Sequence, residues 1–83
     1  MSTAHEANLE RAIAKLQPHG RDCWCAPLTP AEIVALADAG AVPSLGHAVE
    51  RAKERVSKGD SGTTWFYFSP RRPLRERIVK AKS

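Results

Sequence analysis

Long apolar runs are missing from this chain. Stretches such as "IVALA" close after a few residues, far short of the ~20 that span a bilayer. The opening "MSTAHEANLE" has no apolar core of the kind a secretory signal needs, so a cytoplasmic protein that stays off membranes is the expectation. Cysteine is confined to Cys23 and Cys25 in "DCWC", a spacing that rarely closes a disulfide within one chain, and both are read as reduced thiols. With His19 they would offer three metal donors and His5 or His47 a fourth, yet the paired spacings of structural zinc sites are absent and no metal is expected. Nor is there a glycine-rich phosphate loop, a nucleophile elbow or a carboxylate pair in a catalytic frame, and the three histidines are scattered. Neither enzymatic activity nor a cofactor is expected. Repeats and low-complexity tracts are absent too, so the 83 residues read as one folded unit, residues 1–83, with a single core.

Charge is what the chain has in excess, and it is unevenly placed. Up to Pro43 three bases stand against five acids, a net −2; beyond it ten bases stand against four acids, a net +6. Such a split points to nucleic acid, an anionic surface or an acidic protein as partner, and says little about fold.

Local signals divide the chain into six elements. "TAHE" places Thr3 and Glu6 as a capping box for a first helix whose apolar stripe is Leu9, Ala12, Ile13 and Leu16, ending before Pro18. "PHGRDCWCAPL" reads as a turn and a brief strand. "LTPAEIVALADAG" opens a second helix, with Thr29 as cap, Pro30 in the first turn, Glu32 closing the box and Leu28 with Ile33 as staple; Gly40 ends it. A third helix runs from the cap Ser44 to Gly59, turning Leu45, Val49, Ala52 and Val56 inward. "TTWFYF" reads as a strand. "RERIVKAK" alternates as a return strand beyond the prolines of "SPRRPL", and equally supports a short helix.

In that order, "LTPAEIVALADAG", "SLGHAVERAKERVSKG" and "TTWFYFSPRRPLRERIVKA" resemble the winged helix-turn-helix fold: a small α+β domain of order α-β-α-α-β-β, with the helix-turn-helix over residues 29–58 and a wing hairpin over 63–81. The resemblance implies a non-enzymatic protein that binds double-stranded DNA in a sequence-specific way, as a transcriptional regulator or accessory factor. It also implies a homodimer, since one module covers little DNA.

The third helix, about 14 residues or ~21 Å long, suits a major groove ~12 Å wide. His47, Glu50 and Arg51 would reach base edges, while Ser44, Lys53, Lys58, Arg71, Arg72, Arg75 and Arg77 would position the backbone. Glu50 and Glu54 oppose phosphates unless they accept from cytosine or pair with Arg51 or Lys58. Trp65 and Tyr67 point to one side of their strand and Phe66 and Phe68 to the other; one pair enters the core and the second is partly exposed, so core packing or a dimer contact is the expected use of these rings and stacking on unpaired bases the alternative. The alternative reading is a protein-binding inhibitor or adaptor that docks on an acidic partner through the basic, aromatic C-terminal hairpin.

Overall fold

The computed structural model describes residues 3–40 and 46–83. They form a small mixed α+β domain of four helices and a three-stranded antiparallel sheet: α1 (Thr3–Lys15), β1 (Gln17–Pro18), β2 (Trp24–Leu28), α2 (Pro30–Asp38), α3 (Gly46–Ser57), β3 (Thr64–Phe68) and α4 (Arg72–Lys82). Ser44 and Leu45, the expected cap and first inward residue of the third helix, lie outside the described residues.

The capping signal in "LTPAE" is realised in full. The Thr29 hydroxyl accepts from the Glu32 amide while the Glu32 carboxylate accepts from the Thr29 amide at 2.8 Å, with Pro30 in the first turn. Leu28 and Ile33, at the staple positions, both lie in the core. Gly40 ends the helix at φ +114, a value that favours glycine.

The sheet runs in the order β1-β2-β3, and β2 pairs with β3 from Trp24↔Phe68 to Leu28↔Thr64. Alternation then sorts the side chains. Ala26, Leu28, Phe66 and Phe68 are buried on the face that meets α1 and α2, and join Leu9, Ala12, Ile13, Leu16, Leu36, Leu74 and Ile78 in one core. Trp65 and Tyr67 stand on the opposite face and are exposed. The aromatic strand therefore divides as its sequence pattern indicates.

Pro27 sits in the central strand, where a missing N–H would break a ladder. The fold places it beyond the reach of β1, which pairs only with Trp24 and Cys25, and the Pro27 carbonyl accepts from Lys15 Nζ instead. His19 donates to the Cys23 carbonyl at 2.8 Å, so the backbone groups of residues 23, 25 and 27 face the β1 side. By the same alternation those of Trp65 and Tyr67 face away from β2, along the free edge of β3.

The C-terminal segment departs from its expected form. Residues 72–82 are a helix, and β3 pairs with β2, so the hairpin over 63–81 and its wing do not form. The order is α-β-β-α-α-β-α rather than α-β-α-α-β-β. Pro73 occupies the first turn of α4, where its fixed φ helps a helix start, and Leu74 and Ile78, one turn apart, are both buried. α4 packs on α1, with Arg77 paired to Glu6 and Lys82 Nζ donating to the Ala14 carbonyl. Val56, expected inward on α3, is 44% exposed and lines an open pocket with Ala4 and Asn8 of α1 and Val34 of α2.

Candidate functional site

α3 buries Ala52 and half-buries Ala48, Val49 and Arg55, which turns His47, Glu50, Arg51, Lys53, Glu54 and Lys58 to solvent. The two glutamates do not stand alone: Glu50 pairs with Lys53 at 3.8 Å and Glu54 with Lys58 at 3.1 Å, one turn along the helix in each case. Arg51 and His47 make no ion pair with any described residue. The two lysines expected to serve a partner's backbone are thus partly occupied within the helix, while Arg51 remains available.

The loop after α3 is fixed by one arginine. Arg55 donates from Nε to Asp60 at 2.8 Å, from one terminal nitrogen to the Thr64 hydroxyl at 2.9 Å and from the other to the Gly62 carbonyl at 2.9 Å. This three-way fork needs the planar guanidinium. Gly59, at φ +76, makes the turn that brings Asp60 back to it. The Arg55 hydrogen bond and the Gly62 amide hold the Asp60 carboxyl below its ordinary pKa.

Arg55 thereby ties α3 to the start of β3, and a groove of about 150 Å³ opens between them, lined by Ala48, Arg51 and Arg55 of α3 and Thr64, Trp65 and Phe66 of β3. Trp65 leads from the groove onto the open face of the sheet. Its ring lies 6.3 Å from that of Tyr67 at an interplanar angle of 25°, and Tyr67 meets the edge of His19 at 5.0 Å. Trp65 is 55% and Tyr67 51% exposed. Cys25, the cross-strand neighbour of Tyr67, is buried beside them as a free thiol, and Cys23 is half-buried.

The other expected contacts scatter. Arg71 and Arg72 stand at the start of α4 and not on a wing; the Arg71 amide donates to Gly40 at 2.9 Å, which anchors that end of α4 to the end of α2. Arg72 pairs with Glu76, and Arg75 is exposed one turn on. Arg77 faces α1 through its pair with Glu6, away from any role in a wing. Among the described residues no three of His, Cys, Asp and Glu gather into a metal-binding cluster, and no helix is long and apolar enough to cross a membrane.

Two participants escaped the sequence reading. Arg55 carried a signal, since an Asp five residues on across a glycine turn comes within reach of its guanidinium. His19 carried none: it reaches Tyr67 only through the pairing of β1 with β2. Comparison with known proteins finds no family model, no characterised protein and no solved structure that matches the chain.

Proposed function

We propose that this is a non-enzymatic DNA-binding protein that lays the outward face of α3 against duplex DNA, with α2 and α3 serving as a helix-turn-helix-like pair. One observation carries the reading: both carboxylates on α3 are paired with lysines one turn on, Glu50 with Lys53 and Glu54 with Lys58 just past the helix end, which leaves Arg51 and His47 to meet the duplex. Arg51 is suited to a guanine edge or a phosphate, and the lysines to phosphates. Arg71, Arg72 and Arg75 support it from the first turns of α4, whose N-terminal end is anchored to the end of α2 and adds its own positive dipole. A dimer suits this reading, because a single helix in a groove buries little DNA surface.

Titration of a labelled duplex at several salt concentrations tests it. Each phosphate neutralised contributes roughly −0.9 to the slope of log affinity against log salt, so four or five contacts give about −4. Absence of duplex binding at low salt would overturn the proposal.

A further inference from the structure

We infer that Trp65 and Tyr67 form a stacking site for unpaired bases, so that the preferred ligand is duplex DNA carrying a single-stranded tail. This rests on the DNA-binding reading of α3 and extends it to a second surface. Three observations meet at the site. Trp65 and Tyr67 are more than half exposed on the sheet face opposite the core, where two large rings side by side are more than solvation of the strand requires. Their rings are nearly parallel, with centroids 6.3 Å apart, about twice the ~3.4 Å rise per nucleotide of a stacked strand, and every base presents a π-face to such a surface whatever its sequence.

Charge selects the occupant. Arg51, on the face of α3 assigned to the duplex, also lines the groove that Trp65 borders, and no carboxylate among the described residues pairs with it. A strand leaving the duplex at α3 therefore passes a cation and then meets Trp65 and Tyr67 in turn, with the edge of His19 against the second ring. An acidic protein would satisfy Arg51 but has no need of parallel rings. A second copy could stack its own rings, yet it would bring an equal positive charge, in a chain of net charge +4, to the same groove.

The experiment compares a blunt duplex with the same duplex bearing a short oligothymidylate tail. It uses the full chain and its Trp65→Leu and Tyr67→Leu variants, and follows Trp65 emission in a Trp24→Phe background. The tail is expected to tighten binding about tenfold or more and to quench Trp65, and each variant to lose about tenfold of that gain while keeping its affinity for the blunt duplex. Because both rings are exposed the variants should fold, and the quenching is read without changing either ring. Equal binding of blunt and tailed duplex with unchanged emission would overturn the stacking site and leave the α3 reading standing. Failure to bind either DNA would overturn both. Self-association that quenches Trp65 and persists in excess tailed DNA would assign the surface to a second copy and overturn the inference as well.

Discussion

Glu32 does two jobs with one carboxylate. Only 2% exposed, it caps α2 through the Thr29 amide and accepts from Lys15 Nζ at 2.8 Å, with Arg11 at 3.8 Å. Burial raises its pKa, but the Lys15 hydrogen bond, the Thr29 amide and the Lys15 charge outweigh burial, and the net result is a lowered value. A carboxyl whose folded pKa lies below its unfolded value adds stability above the unfolded pKa, ~4.3, and loses that contribution as pH falls through the folded one. Thermal unfolding should therefore be level from neutral pH to about 5 and decline below about 4. In Glu32→Gln the cap geometry survives without the titrating proton, so the midpoint at pH 7 should drop while the acid-side decline flattens. Glu32→Ala should cost about 1–3 kcal/mol in a denaturant titration, since a buried donor set loses its acceptor. Parallel acid-side declines in wild type and Glu32→Gln would show that the pairing is not the source. The capping half of this site was readable in "LTPAE" because it is local; Lys15, seventeen residues upstream, enters only through the packing of α1 on α2.

α4 shows how one short stretch can support two elements. "RERIVKAK" alternates well enough for a strand, and the prolines before it suit a loop; the same residues place Leu74 and Ile78 one helical turn apart, with Pro73 where a helix begins. Tertiary packing decides between them, because a helix buries both apolar residues against the core, whereas the strand period would put Glu76 on the same face. Ile78→Ala and Leu74→Ala should each cost about 2–5 kcal/mol of unfolding free energy, while Val79→Ala, at a site 52% exposed, should change it by less than about 0.5 kcal/mol. Equal sensitivity at Ile78 and Val79 would contradict a helix packed on α1. The other elements divide by the same logic. α2 was legible because cap, glycine stop and a 3.6-residue stripe agree, α3 because Gly59 stops a stripe that buries Ala52 and half-buries Ala48 and Val49, and β3 because aromatic and β-branched residues leave little alternative. β1, two residues long, is too short to carry any period and exists only as a partner of β2.

At the scale of the whole molecule, the +6 carried by residues 44–83 is not all offered to a partner. Part of it fastens the C-terminal helix: Arg77 is spent on Glu6 and Lys82 on the Ala14 carbonyl, both on α1. Part of it fastens the β3 loop through Arg55. Sequence could count these charges but could not tell which of them the fold consumes, because the acceptors lie up to 71 residues away. Other bases, Arg51, Arg71 and Arg75 among them, make no ion pair with a carboxylate among the described residues. Salt dependence separates the two kinds of base. Arg51→Ala should make the slope of log affinity against log salt shallower by about 0.7 to 0.9, the share of one phosphate on a single or a double strand. Arg77→Ala should leave the slope unchanged and lower stability by at most about 1 kcal/mol, as expected of an exposed ion pair. Were Arg77→Ala to flatten the slope as much as Arg51→Ala, the DNA would have to lie across α4 and α1, and the α3 face would lose its claim to be the interface.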